Sequence, residues 1–121
     1  MSTEKNISDN SILARLNELV QETDSEFVIE LIDIFIKETP GNIKSIAKAL
    51  DAKDNQSLTI TAHTLKGSSL NLGAKQLGAA CYKLEELGRS NNPIPASITT
   101  SDIEYEYEKA KEVLLAFKKK Q

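Results

Sequence analysis

Thr61-Ala62-His63-Thr64-Leu65-Lys66-Gly67-Ser68-Ser69-Leu70-Asn71-Leu72-Gly73 carries the single histidine of the chain, with a glycine four residues beyond it inside a helical pattern. A helix turns about 100° per residue. On that wheel Leu58, Leu65 and Leu72 fall within roughly 40° of one another and mark the core-facing line, with Thr61, Ala62 and Ser69 beside them. His63 lies about 160° from the centre of that line, with Gly67 close by. The lone imidazole therefore points at solvent, and apolar Ile60 and Leu70 flank it where a polar face is expected. An interior glycine costs a helix roughly 1 kcal/mol relative to alanine. Gly67 faces away from the core, so its expected purpose is the close approach of something outside the domain.

Working outward, the flanking sequence is helical throughout. Met1–Asn6 reads as a ragged polar end, and a tail to about residue 7 precedes a short helix capped by Ser8 or Asp9, with Ile12, Leu13, Leu16, Leu19 and Val20 on one face. Thr23-Asp24-Ser25 breaks and recaps the chain. The next helix carries Phe27, Val28, Leu31, Ile32, Ile34, Phe35 and Ile36, an apolar arc of roughly 200°. That width fits either a central buried helix or a helix with part of its arc left open for docking. Pro40 is expected to stop this helix and to open another, which is lined by Ile43, Ile46, Ala47 and Leu50 and ends near Lys53. Asp54 or Asn55 caps the His63 helix, and Gly73 closes it as a left-handed residue. Leu77, Ala80, Cys81, Leu84 and Leu87 form the stripe of the following helix, which ends at Gly88. After a loop with Pro93 and Pro95, Ser101 or Asp102 starts the last helix, with Ile103, Tyr107, Ala110, Val113, Leu114 and Phe117 inward. No run alternates with period two. The expected fold is all-α: one domain over residues 1–121, an antiparallel up-down four-helix bundle with an additional short N-terminal helix.

Composition narrows the function classes. At 121 residues and a net charge of -3, with 5% aromatic residues and no basic patch, general nucleic-acid binding is disfavoured. No apolar run approaches the ~20 residues that cross a bilayer, and the polar start lacks a signal-peptide core. The single cysteine excludes an internal disulfide and suits a reducing cytoplasm. One histidine and one cysteine cannot build a structural zinc site, so no metal is expected. Cys81 sits on a core stripe while His63 faces out, which argues against a Cys–His pair. There is no Gly-x-x-x-x-Gly-Lys-Ser/Thr loop for ATP. Glu85-Glu86, Glu104, Glu106 and Glu108 read as solvated helix faces, and Ser68 and Ser69 as small residues that let a neighbouring helix come close.

His63-x-x-Lys66-Gly67-Ser68-Ser69-x-x-x-Gly73-Ala74 resembles the signature of histidine-containing phosphotransfer (HPt) domains, the helical relay modules of multistep two-component signalling. The resemblance extends from about Asp24 to Lys119. It implies that His63 accepts a phosphoryl group from a receiver-domain aspartate and passes it to a second receiver. The partners it implies are response-regulator receivers or a hybrid sensor histidine kinase, with magnesium brought by the receiver and no cofactor held by this chain. A neutral imidazole is a competent nucleophile, its unperturbed pKa being about 6.5. Phosphoryl transfer asks mainly for positioning and charge stabilisation. Lys66, on the adjoining flank, can reach a phosphoryl group on His63. Gly67 leaves room for the partner, Ile60 and Leu70 offer apolar contact, and Gln56 and Thr59 polar contact. Such a protein is a transiently docking monomer without kinase activity of its own. The alternative is a non-catalytic helical adaptor that binds through the same surface.

Overall fold

The structure is a computed structural model that describes residues 3–121, with side chains from Asn10 onward. Five helices follow in order: α1 (Thr3–Glu22), α2 (Ser25–Asp51), α3 (Asn55–Asn71), α4 (Lys75–Arg89) and α5 (Ser101–Lys119). There is no strand among the described residues. Helices α2 to α5 pack each against the next, and α5 returns to α2 to close an up-down bundle. The all-α four-helix expectation therefore holds. No helix of the described residues is long and apolar enough to cross a membrane.

Helix boundaries follow capping chemistry. Asp24 accepts a hydrogen bond from the Phe27 amide at 2.8 Å and starts α2. Asp54, rather than Asn55, starts α3, accepting from the Ser57 amide at 3.1 Å. At the end of α3, Gly73 has φ 79°, and the Gly73 and Ala74 amides donate back to the Leu70 and Ser69 carbonyls at 3.0 and 2.9 Å. This pair of bonds satisfies carbonyls that the helix end would otherwise leave open. Lys53 takes the same left-handed role after α2, at φ 54°.

Two expectations are corrected. The N-terminal helix is not short: α1 has 20 residues and begins at Thr3, so Ser8 and Asp9 lie within it and do not start it. Of the expected tail, Met1 and Ser2 lie outside the described residues. Ile12 and Leu16 are fully buried. The Ser11 hydroxyl donates to the Gly73 carbonyl at 2.7 Å and Arg15 Nε to the Asn71 carbonyl at 2.9 Å, which fastens α1 to the end of α3.

Pro40 does not stop a helix either. It lies inside α2, whose 27 residues run unbroken from Ser25 to Asp51. Proline in a helix interior removes one donor and orphans the carbonyl four residues back, at a cost of about 3 kcal/mol. That carbonyl belongs to Ile36, and the Tyr107 hydroxyl of α5 donates to it at 3.1 Å. The neighbouring Thr39 hydroxyl donates to the Phe35 carbonyl at 2.6 Å. The apolar stripe also runs on without a phase break, since Val28, Ile32, Phe35, Ile43, Ile46 and Leu50 are all buried. Core packing and a replacement donor thus outweigh the local signal to stop.

The wide α2 arc is divided between core and surface. Val28, Ile32 and Phe35 are in the core, whereas Phe27 and Ile34 are exposed. Ile34 borders a shallow groove shared with Ser68 and Asn71 of α3.

Candidate functional site

The tightest helix pair is α3 against α4, and glycine makes it possible. A Cβ on Gly88 would come within 2.4 Å of Thr59 Oγ1 and 2.8 Å of the Asn55 carbonyl. A Cβ on Gly78 would meet Leu70 Cδ2 at 2.6 Å. The close approach that Ser68 and Ser69 were expected to permit is therefore made mainly from α4. Ser69 is buried and its hydroxyl bonds the Leu65 carbonyl at 2.7 Å, while Ser68 is exposed.

Between Gly78 and Gly88, on the same face of α4, lies Glu85. Its side chain is 1% exposed, so its expected place on a solvated face is wrong. The physical reason is register: residues 78, 81, 85 and 88 form one row along a helix, and that row faces α3. Burying a carboxylate requires partners, and three are present. His63 Nδ1 lies 2.9 Å from Oε2. Lys66 Nζ lies 2.6 Å from Oε1. Arg89 Nη2 and Nε reach Oε2 at 2.6 and 3.2 Å. Lys66, then Arg89, together with the His63 contact, outweigh the desolvation of the carboxyl and hold its pKa down at about 2. Glu85 is thus an anion at any physiological pH.

An ionised carboxylate can only accept. In the neutral ring the His63–Glu85 contact therefore puts the one imidazole proton on Nδ1 and leaves Nε2, on the opposite edge of the ring, with its lone pair free. The His63 side chain is 61% exposed, so the free nitrogen is open to a reactant from outside. An oriented, outward-facing nucleophile is what the arrangement provides chemically.

The other predicted residues divide. Gly67 is open, with nothing within 4 Å of a Cβ built there. Ile60 and Leu70 are exposed on either side of His63, at 58% and 46%. Gln56 is exposed on the same face. Thr59 turns towards α4, half-buried, with its hydroxyl donating to the Asn55 carbonyl at 2.9 Å. Lys66 is adjacent to His63 as expected but is only 21% exposed, drawn onto Glu85 and over the Tyr82 ring at 5.2 Å. Arg89 and Glu85 are the residues sequence reasoning missed. The signal for Glu85 was available in its spacing from Gly78, Cys81 and Gly88.

Cys81 lies in the same row and is buried. Burial, with the Glu85 charge nearby, pushes its thiol up to about 12. It has no nucleophilic role beside His63. A groove of about 600 Å3 lies between α4 and α5 on the opposite side of α4, next to Lys83 and Asp102. The surface around His63 is a helix face, suited to another protein more than to a small molecule. Among the described residues, no group of three or more His, Cys, Asp or Glu is placed to hold a metal ion.

Comparison with known proteins gives a consistent picture. The family profile described as "Hpt domain" matches residues 30–113. Multistep phosphorelay regulator 1 of Schizosaccharomyces pombe is 29% identical over 85 residues, covering 70% of this chain and 29% of that protein. Histidine-containing phosphotransfer protein 2 of Arabidopsis thaliana is 30% identical over 101 residues, 79% of this chain and 65% of its own length. Among solved structures, histidine-containing phosphotransfer protein B (HptB) from Pseudomonas aeruginosa PAO1 superposes with a TM-score of 0.80 at 29% identity, over 89% of this chain and 93% of that one. The chain spans between 29% and 65% of the length of these two curated relatives.

Proposed function

Because the chain belongs to the Hpt domain family, we propose that it is a phosphoryl carrier of a multistep two-component phosphorelay, with His63 as the accepting residue. The observation that carries this reading is the pairing of an exposed His63 with a buried, anionic Glu85 at its Nδ1. In the forward step Nε2 attacks the phosphorus of a receiver's aspartyl phosphate. The P–O bond to the aspartate breaks and its electron pair returns to the carboxylate. The Nδ1 proton stays between His63 and Glu85. In the second step the phosphoryl group passes from Nε2 to an aspartate oxygen of another receiver.

Lys66 stands beside His63 and can share its charge between Glu85 and the incoming phosphoryl oxygens. Gly67 lets the receiver's active site come close to the helix, and Ile60 and Leu70 give it an apolar seat, with Gln56 at the rim. Magnesium belongs to the receiver, and the domain has no ATP chemistry of its own. A monomer that docks transiently in the cytoplasm fits this role. The names of the relatives, phosphorelay regulator and phosphotransfer protein, support it.

The test is transfer from a phosphorylated receiver in the presence of magnesium, comparing the native chain with His63→Gln. The native chain is expected to gain base-stable, acid-labile label and the variant none. An adaptor would show binding to the receiver and no label on either.

A further inference from the structure

Glu85 stands at the nitrogen that does not carry the phosphoryl group, and this placement has a consequence for how long the group stays. We infer that Glu85 sets the lifetime of the phosphorylated state, making His63 a fast, short-lived donor by holding the proton on Nδ1 of the phosphohistidine. The inference rests on the carrier reading above.

A phosphohistidine releases its phosphoryl group when the Nε2–P bond breaks and its electron pair stays on Nε2. If Nδ1 is bare, the departing group is an imidazolate anion. If Nδ1 keeps its proton, the departing group is neutral imidazole, a far better leaving group. The phosphoryl group goes to a receiver carboxylate oxygen, or to water, in which case the water's proton ends on inorganic phosphate. No oxidant or further reactant is needed. The protonated ring is a cation, and a cation is favoured by an anion held beside it, the more so when that anion is itself shielded from water.

The geometry supplies that anion. Glu85 Oε2 is 2.9 Å from Nδ1, and the carboxylate is 1% exposed. Lys66 from α3 and Arg89 from α4 face Glu85 as cations, with the Tyr82 ring of α4 against Lys66. Those two cations keep Glu85 ionised, Lys66 at Oε1 and Arg89 at the Oε2 that also meets Nδ1. A neutral amide at the same place would keep the hydrogen bond and lose the charge. Charged hydrogen bonds are roughly twice as strong as neutral ones, so Glu85→Gln is expected to slow loss of the phosphoryl group about fivefold.

The chain has one histidine, so its phosphohistidine gives a single phosphorus resonance. Native protein and Glu85→Gln, each checked for helical content by circular dichroism, are phosphorylated with phosphoramidate. The decay of the phosphohistidine signal is then followed by phosphorus-31 NMR at one neutral pH. A lifetime about fivefold longer in Glu85→Gln supports the inference. An equal or shorter lifetime overturns it while leaving the carrier reading intact. Failure of the native chain to form any phosphohistidine overturns both. A second measurement needs no variant. Nitrogen-15 NMR of the phosphorylated native chain is expected to show Nδ1 still protonated at a mildly alkaline pH where the urea-unfolded phosphoprotein has lost that proton. Loss of the proton at the same pH in both states also overturns the inference.

Discussion

The Tyr107 hydroxyl donates to the Ile36 carbonyl at 3.1 Å, replacing the amide that Pro40 cannot provide. Tyr107 is 4% exposed and its ring packs on Phe35 with centroids 6.0 Å apart. Tyr107→Phe keeps the ring and leaves a buried carbonyl without a partner, so it should cost about 1–2 kcal/mol of unfolding free energy. In a Pro40→Ala background the Ile36 carbonyl regains its own helical donor, and the same change should cost much less. Urea unfolding of the four proteins in this cycle measures the coupling. Equal costs in both backgrounds would show that Tyr107 is not the donor that sustains α2.

Gly67 should separate stability from transfer. A methyl group at this position meets nothing within 4 Å, so Gly67→Ala should raise stability by about 1 kcal/mol through helix propensity. Transfer from a receiver should nonetheless slow, and Gly67→Leu should slow it further. Thermal unfolding and transfer rates on the same preparations check this. Full transfer by Gly67→Leu would mean that no partner approaches the helix there.

The two glycines of α4 should respond differently. Gly88→Ala drives a methyl group into the α3 backbone at Asn55 and Thr59, and should cost about 1–3 kcal/mol as overpacking. Gly78→Ala meets only the end of the Leu70 side chain, which is 46% exposed and can turn away. Its cost should stay within about 0.5 kcal/mol. Chemical denaturation of the two variants tests the ordering.

Glu85 predicts a pH dependence of stability. Its folded-state pKa is lowered from 4.5 to about 2, first by Lys66 and then by Arg89. A lowered carboxylate pKa means that the unfolded chain takes up the proton first. The stabilisation is therefore complete above about pH 4.5 and is lost as pH falls from there towards 2. Urea midpoints measured across that range should fall more steeply for the native chain than for Glu85→Gln. Parallel curves would show that the carboxylate is not held by its cations.

The helices were legible wherever periodicity and caps agreed. Leu58 and Leu65 of α3, Leu72 at its C-terminal cap, and Ile103, Tyr107, Leu114 and Phe117 of α5 are buried as their spacing requires. The exposure of His63 and the openness of Gly67 followed from the same wheel. What could not be read locally was settled by partners distant in sequence. Pro40 is tolerated because of Tyr107, 67 positions away, and a proline carries no sign of such a donor. Glu85 was misread because a charged side chain on an amphipathic helix is ordinarily solvated. Its burial depends on three partners, two of them on a different helix. Arg89 escaped notice for the same reason, since its value lies in the carboxylate it neutralises.

In the proposed relay His63 carries the phosphoryl group on Nε2 while Glu85 holds Nδ1. The most direct test is nitrogen-15 NMR of histidine-labelled chain after phosphorylation by a receiver domain. The structure predicts one phosphorylated imidazole, with phosphorus on Nε2 and a proton on Nδ1. Phosphorus on Nδ1, or label that persists in His63→Gln, would contradict it.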